Sequence, residues 1–347
     1  MQLQSVPVTP VPITQVLQQK TVAASASSSS NPSGLRAAHF GASQQPSYPA
    51  WLATDGDGTY IAKGKPEAQT QLNKFVQQMN AEGKLGLILT TGRGREYYQH
   101  ARTLQEVPEA PDFYILGDGR YIYRGKPPNQ GTLDADWEQK LANYNEPKAL
   151  QIFADASKEL GLDFQAFLDA FPQNIPLEYF RPADGQVSRY VHITPETIQS
   201  QYGSVDHFLS QTKEKLEAMV KKAGIEATVL ALAYEEPDYY IFRIKPTLAT
   251  KEDSLEFLME KLGLNPDEVI IAGDNYNDLG MLQRARRAIL SGNKPSLQGL
   301  REEVTQSFQQ RLQEKAASRL YRTDQHLEDT SILNGLKHHL SQMQLLG

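Results

Sequence analysis

The chain has 347 residues, room for about two domains on a prior of roughly 150 residues each, and its 39% hydrophobic and 22% charged residues are ordinary for a globular protein. A net charge of -6 supplies no electrostatic footprint for nucleic acid or an anionic membrane, so polyanionic partners are disfavoured. The absence of cysteine excludes disulfides, thiolate chemistry and cysteine-ligated zinc or iron-sulfur sites, and it leaves the compartment open with the cytoplasm as default.

Residues 1–48 are rich in Gln, Ser, Pro, Ala and Thr without an amphipathic period, and they read as a disordered tail. This segment has neither a basic n-region nor a continuous apolar h-region, and no apolar run in the chain reaches the ~18 to 20 residues of a membrane span, so neither export nor membrane insertion is expected. Trp51 to Thr54 is a short apolar run ending in Asp55-Gly56-Asp57-Gly58-Thr59. Pro66 then sits where a helix begins, with Leu72, Phe75, Val76 and Met79 on one face and Gly83 at its end. Leu85 to Thr91 is a second buried strand that stops at Gly92-Arg93, and Phe113 to Leu116 with Tyr121 to Tyr123 reads as a strand and a short hairpin.

From about Gly125 to Pro246 the character changes, with proline-containing loops and a β-like Arg189 to Ile193. A helix over Val205 to Lys222 carries the stripe Phe208, Leu209, Leu216, Met219 and Val220, and Thr228 to Leu232 pairs with Tyr239 to Ile244. Lys251 opens a helix bearing Leu255, Leu258, Met259 and Leu262, followed by the turn at Asn265-Pro266 and the buried strand Val269 to Gly273. A helix over Asp278 to Arg287, a strand at Ala288 to Leu290 and the turn Ser291-Gly292-Asn293 continue the alternation. A last helix with Ile332, Leu333, Leu336, Leu340 and Met343 is expected to cover one face of the sheet. This alternation predicts a doubly wound α/β core whose motifs gather at the carboxyl ends of parallel strands.

Those strand ends carry the chemistry. Asp55 and Asp57, spaced i, i+2, point the same way from an extended strand, so both can face one reacting phosphorus, one attacking and the other moving protons. Magnesium takes oxygen ligands from one or two carboxylates plus phosphate and water, and Asp55 with Asp274 offers that pair from two strands. The Thr91 hydroxyl and the amides of the following turn can hold phosphate oxygens, and Lys251 is placed to offset the negative charge, with Lys245 and Lys261 as rivals. Other motifs fail on spacing: a calcium loop from Asp55 would need Gly and Glu where Tyr60 and Pro66 stand, and Gly92-Arg93-Gly94-Arg95 lacks the Gly-Lys-Ser/Thr ending of a P-loop. Gly117-Asp118-Gly119 lacks the third glycine of a dinucleotide fingerprint.

In chain order, DGDGT at 55–59, TTGR at 90–93, Lys251 and GDNYND at 273–278 resemble the four motifs of the haloacid dehalogenase superfamily. The stretch between the second and third resembles the large α/β cap of the Cof-type and sucrose-phosphatase-like branch, and the likeness spans roughly residues 50 to 340. The resemblance implies an α/β fold with a doubly wound, mainly parallel sheet, its core formed by 49–125 and 247–347, and an inserted α/β cap at 126–246 that sets substrate choice. It implies Asp55 as nucleophile, Asp57 as general acid and base, Thr91 rather than Thr90 as the phosphate hydroxyl, and Lys251 as the stabilising cation. It further implies Thr59, Gly92, Arg93 and Asn277 as phosphate- or substrate-binding residues, and Asp55, Asp57, Asp274 and Asp278 around Mg2+. Asn277 has the alternative role of a helix cap. Gly56 departs from the bulkier residue common at that place in the family and is expected to loosen local packing.

The activity implied is magnesium-dependent hydrolysis of a small phosphorylated metabolite, a sugar phosphate, through an aspartyl phosphate, by a cytoplasmic monomer or small homo-oligomer. Sucrose 6-phosphate enters because Leu320-Tyr321-Arg322 through Leu336 also resembles that phosphatase family. A phosphomutase and a non-catalytic phospholigand-binding protein are the competing readings. In the cap, Tyr179, Phe180, Arg189 and His192 are candidates for leaving-group contact, although aromatics there more often form core. Asp118 lies in a turn where sugar phosphatases of this type place polar residues, and His338-His339 is expected to face solvent.

Overall fold

Unbroken apolar runs such as Trp51 to Ala53 and Val269 to Ala272 suit strands covered on both faces, and each ends where glycine or a carboxylate turns the chain out of the sheet. The computed structural model describes residues 47–61, 66–93, 111–125, 131–166, 170, 187–233, 238–292, 297–323 and 332–346. In chain order β1 (Ala50–Asp55), α1 (Pro66–Ala81), β2 (Leu85–Thr90), β3 (Phe113–Leu116), β4 (Tyr121–Arg124), β5 (Thr132–Leu133) and α2 (Ala135–Lys140) form the first part. An inserted unit follows, with α3 (Glu146–Leu160), β6 (Val187–His192), α4 (Pro195–Gln201), α5 (Val205–Ala223), β7 (Ala227–Ala233) and β8 (Tyr239–Pro246). The chain then returns through α6 (Lys251–Leu262), β9 (Val269–Gly273), α7 (Leu279–Arg284), β10 (Arg287–Leu290), α8 (Gln298–Leu312), α9 (Ala316–Arg319), β11 (Leu320–Arg322) and α10 (Leu333–Gln342).

The large sheet has the order β11-β10-β9-β1-β2-β3-β4-β5. Its first six strands in that order are parallel, and β4 and β5 add an antiparallel edge. Alternate residues of β1 feed two cores: Trp51 and Ala53 pack with Leu255, Leu258, Met281, Leu300 and Phe308 of α6 to α8, whereas Ala50 and Leu52 pack with Leu72, Val76, Leu336 and Leu340 of α1 and α10. β1 lies between β2 and β9, with Asp55 opposite Thr90 and Thr54 opposite Ala272. The chain runs outward from β1 to β2 and β3 on one side and from β9 to β10 and β11 on the other, so the strand order reverses between β1 and β9 and a crevice opens at the carboxyl ends of these strands.

The second sheet, β6-β8-β7, is antiparallel. Tyr240, Phe242 and Ile244 of β8 pack against Ile152, Phe153, Phe208 and Leu216 of α3 and α5, so Ile241, Arg243 and Lys245 occupy the opposite face. Arg189, offered by the sequence as a leaving-group contact, pairs with Phe242 and sets its guanidinium 6.0 Å from the Phe153 ring, on the helix-covered side. His192 stacks on Tyr239 at 4.7 Å at the start of β8. Tyr179 and Phe180 lie outside the described residues. Among the described residues no helix is long and apolar enough to cross a membrane.

Several boundaries move. β5 pairs with β4 in the large sheet, and Trp137 and Leu141 pack into its core, so the core continues past residue 125 to about Leu141. The tail expected over 1–48 ends sooner, because Tyr48 packs edge-on to Trp51 at 5.2 Å and its hydroxyl bonds to Asp112; residues 1–46 lie outside the described residues. The helix expected over 278–287 is shorter, since the chain leaves α7 at Arg284 and Arg287 already belongs to β10.

The His338-His339 expectation is corrected for one of the two. His339 is fully buried, with Nε2 donating to the Ala288 carbonyl at 3.0 Å. A second proton on the ring would place a charge inside the core. Burial above all, with the neighbouring His338 and Arg287, pushes its pKa down to about 4 against the opposing hydrogen bonds of Ala288 and Gln342. The unfolded chain takes up this proton below about 6.5, so the contribution is complete above that pH and is lost as pH falls toward 4. Urea melts at pH 7 and pH 4.5 should therefore differ by about 2 kcal/mol less in His339→Gln than in the wild type. Equal differences would remove His339 as the acid-sensitive group.

Candidate active site

At the end of β1 the chain folds back on itself: the Gly56 amide donates to the Thr90 carbonyl at 3.0 Å, and Tyr60 and Ile61 donate to the carbonyls of Asp55 and Gly56 at 3.1 and 2.7 Å. This tight loop leaves the Asp55 side chain 8% exposed at the crevice floor and buries Thr59. Gly58 has φ +85, and a Cβ there would come within 2.4 Å of Asp274 Oδ2, so glycine lets the loop close over that carboxylate. Thr59 Oγ1 donates to Asp274 Oδ1 at 2.8 Å, joining the ends of β1 and β9.

Lys251 enters from α6. Thr250 caps that helix by accepting the Asp253 amide, which fixes where α6 starts and so where its first side chain points. The Lys251 ammonium, almost fully buried, donates to Asp55 Oδ1 at 2.5 Å and to Asp278 Oδ1 at 2.7 Å. Asp278 Oδ2 accepts the amides of Asp274 and Asn275 at 3.0 and 3.1 Å, so one buried carboxylate anchors both the lysine and the turn after β9. Lys245 and Lys261, its rivals by sequence, are engaged elsewhere, with the Ala249 carbonyl and with Asp134 and Asp136.

One oxygen each from Asp55, Asp274 and Asp278 lies within 4.8 Å of the others. Three carboxylates face one ammonium. Burial first, then repulsion from Asp278, pushes the Asp55 carboxyl up to about 8, with Lys251 opposing. Burial alone would lower the Lys251 pKa, but Asp278 and Asp55 outweigh it and hold the ammonium above its ordinary range.

Across the crevice, Thr91 is buried with Oγ1 accepting the Arg93 amide at 3.2 Å, whereas Thr90 turns its hydroxyl to the Thr54 carbonyl inside the sheet. Gly92 is exposed, and the Arg93 guanidinium pairs with the Asp57 carboxylate. Asp57 thus stands apart from the three-carboxylate cluster. Asn277 is exposed in the turn; the capping role falls to Asn275, whose side chain accepts the Tyr276 amide. A Cβ on Gly56 would meet Thr91 at an ordinary 3.6 Å, so a larger residue could begin there without a clash.

Two further features are absent from the motif reading. Arg243 Nη1 donates to Asp118 Oδ2 at 3.2 Å, bringing a β8 side chain to the core. Gly119, at φ +98, lies so close to α6 that a Cβ would fall 2.1 Å from the Thr250 carbonyl oxygen, while the Trp137 indole donates to the Gly119 carbonyl at 2.9 Å. Alternation along β8 could have marked Arg243 as one of two cations on its open face, but no local pattern pairs Gly119 with Thr250. Gly119→Ala should cost about 2 to 4 kcal/mol through strain at a positive φ and a backbone clash, and lower kcat more than tenfold by shifting Lys251. Urea melts with turnover rates test it, and an unaltered kcat would disconnect Gly119 from Lys251.

A family model described as haloacid dehalogenase-like hydrolase matches residues 52–310. The chain belongs to that family. Within it, a Nitrosococcus oceani protein named as a HAD-like hydrolase is 25% identical over 275 residues, which cover 78% of this chain and 64% of that protein, so the chain spans less than two thirds of that relative. The sucrose-phosphatase of Synechocystis sp. PCC6803, solved with sucrose and phosphate, shares the fold at 21% identity and a TM-score of 0.53, over 87% of this chain and 100% of the other. A haloacid dehalogenase-like hydrolase of Bacillus subtilis does so at 16% identity and a TM-score of 0.50, over 77% and 93%. The expected haloacid dehalogenase-like core with an inserted cap is therefore the observed fold.

Proposed function

We propose that this haloacid dehalogenase-like hydrolase is a magnesium-dependent phosphatase acting on a small phosphorylated metabolite, a sugar phosphate, through an aspartyl phosphate on Asp55. The observation that carries the reading is the contact of Lys251 with both Asp55 and Asp278, beside Asp274, at the carboxyl end of the central strands. Mg2+ fits this site, because the donors are all carboxylate oxygens and three negative charges face one ammonium. Asp55 and Asp274 would hold the ion, with Asp278 behind them. When bound, it offsets repulsion between carboxylate and phosphate and polarises a phosphoryl oxygen.

The chain's own groups supply the rest. An Asp55 oxygen forms a bond to phosphorus as the bond to the leaving oxygen breaks, and that oxygen takes the proton of Asp57. Water then gives a proton to Asp57, bonds to phosphorus and expels the Asp55 carboxylate, releasing inorganic phosphate. Lys251, the Thr91 hydroxyl and the amides after β2 hold the equatorial oxygens, where positioning and electrostatics do most of the catalysis. Arg93 holds the ionised Asp57 at the mouth of the crevice in the resting chain, and Asp57 takes from solvent the proton it later donates as substrate draws it away from the guanidinium. The inserted unit, from about residue 142 to 246, is assigned to substrate choice.

Phosphate release from a panel of monoesters should require magnesium and stop with EDTA. Beryllium fluoride with magnesium, an aspartyl-phosphate mimic, should raise the melting temperature by several degrees in the wild type, since a ligand that binds only the native state stabilises it by mass action. No phosphate release and no thermal shift would together defeat this reading.

A further inference from the structure

We infer that Arg301 of α8 is a positioning residue for Asp274: it clamps the chain after β10 against that carboxylate and so sets the magnesium affinity of the site. The inference rests on the phosphatase proposed above, in which Asp274 is one of the two carboxylates that would hold the ion.

Asp274 is boxed in by neighbours from two other strands. From the loop after β1, Gly58 closes over Oδ2 and Thr59 donates to Oδ1 at 2.8 Å. On another side stands Gly292, where a Cβ would lie 3.8 Å from the Asp274 Cβ, so the bare backbone after β10 runs at contact distance along the root of the carboxylate. Pairing of β10 with β9 reaches Leu290 and Gly273, and one further bond, from the Ser291 amide to the Gly273 carbonyl at 2.9 Å, carries the chain toward the crevice. Ser291 Oγ adds a long bond to the Gly58 carbonyl at 3.4 Å, which links this wall to the loop after β1. Gly292 then turns away at φ +84, a conformation that glycine adopts without strain.

The bond that holds the Gly292 carbonyl comes from α8: Arg301 Nη2 donates to it at 3.0 Å. That helix is a firm anchor, because Leu300, Val304 and Phe308 are fully buried in the core with Trp51 and Ala53 of β1 and Val269 and Ile271 of β9. Arg301 itself is only 7% exposed. Burying a guanidinium is costly unless its donors are used, and here one donor is spent on the carbonyl next to the metal carboxylate. A hydrogen bond from an ionised donor is about twice as strong as a neutral one, which suits a contact that must hold a turn in place. Magnesium demands near-ideal octahedral geometry, so a carboxylate whose wall drifts loses affinity although its oxygens remain. Groups that orient metal ligands in this way are worth about 10- to 100-fold in affinity.

The test follows Mn2+ binding, by loss of the free-ion EPR signal, and the Mg2+ concentration for half-maximal phosphate release, in the wild type, Arg301→Met, Arg301→Lys and Phe308→Leu. Phe308 lies about two turns further along α8, and shortening it loosens the packing of the same helix without touching Gly292. Arg301→Met should raise both constants about 10- to 100-fold, while kcat at saturating magnesium falls less than about threefold. Arg301→Lys, which keeps a cationic donor, should fall between Met and the wild type. Phe308→Leu should lower the melting temperature and leave both metal constants within about twofold. Constants that move no further in Arg301→Met than in Phe308→Leu would make the contact a brace of the fold and overturn the inference. If the Met variant does not fold, Arg301→Lys decides: constants within about twofold of the wild type overturn the inference, and a larger rise upholds it. Failure of the phosphatase reading looks different, as no phosphate release at any metal concentration, and Mn2+ binding then still reads the role of Arg301. A wild type that binds no Mn2+ would overturn the inference together with the metal site.

Discussion

Asp55→Asn should lower phosphate release by about four orders of magnitude or more, the scale on which loss of a nucleophile is usually felt, while leaving the chain folded. The amide keeps the volume of the side chain and an oxygen for the Lys251 ammonium, which donates to Oδ1 at 2.5 Å, but it cannot attack phosphorus. The variant removes one of three carboxylates crowded within 4.8 Å, so its metal-free melting temperature should be no lower than that of the wild type. Calorimetry together with a phosphate-release assay reads both effects. More than about a tenth of the activity remaining would end the covalent mechanism, because hydrolysis would then proceed without the proposed phosphorylated residue.

Lys251→Met should be the most destabilising exchange at this site. The ammonium is almost fully buried between Asp55 and Asp278, and its removal leaves two buried carboxylates without their counterion. Breaking a buried ion pair by removing one partner costs about 3 to 5 kcal/mol, and turnover should fall to background because the phosphoryl oxygens also lose their cation. The double variant Lys251→Met with Asp278→Asn separates the two roles. Asn keeps an oxygen for the Asp274 and Asn275 amides while removing a stranded charge, so stability should recover in part and activity should not. Urea melts in which the single variant loses less than about 1 kcal/mol would show the network to be solvated and weak, like an exposed pair.

The sequence carried the core well where physics is local. Unbroken apolar runs marked β1, β2 and β9 because strands covered on both faces admit few polar residues, and the Pro66 and Gly83 punctuation bracketed α1. Less local elements escaped. α3 buries Ala149, Ile152, Phe153 and Ala156, a stripe half made of alanine, and the glutamine-rich α8 buries Leu300, Val304 and Phe308 among polar residues. Their helicity is settled by what they pack against. β5, only two residues long, is a strand through its pairing with β4, and its omission shifted the expected start of the insertion.

The same division holds within the site. Motif order brought Asp55, Thr91, Lys251, Asp274 and Asp278 to one crevice, because each ends a strand or starts a helix in a doubly wound sheet. The burial of His339 was not legible, since its histidine neighbour on α10 is partly exposed and only the position of β10 decides which of the two turns inward. Asn275 precedes the three-residue turn Tyr276–Asp278 and Asn277 lies within it, and the choice of cap rests on geometry finer than the spacing of polar side chains.

The close approach of Gly119 to Thr250 bears on how this chain can change length. Between Pro246 and Lys251 the return from the insertion is short and tied down, by the Ala249 amide on the Pro246 carbonyl at 3.0 Å, by Lys245 on the Ala249 carbonyl, and by the glycine packed on the helix cap. One residue added or removed here would turn the first side chain of α6 by about 100° and carry the ammonium away from Asp55. Residues gained or lost in loops farther back in the insertion are absorbed before they reach this tether. The insertion can therefore be lengthened, shortened or rebuilt over many generations, while the spacing between Thr250 and its glycine has to be inherited unaltered.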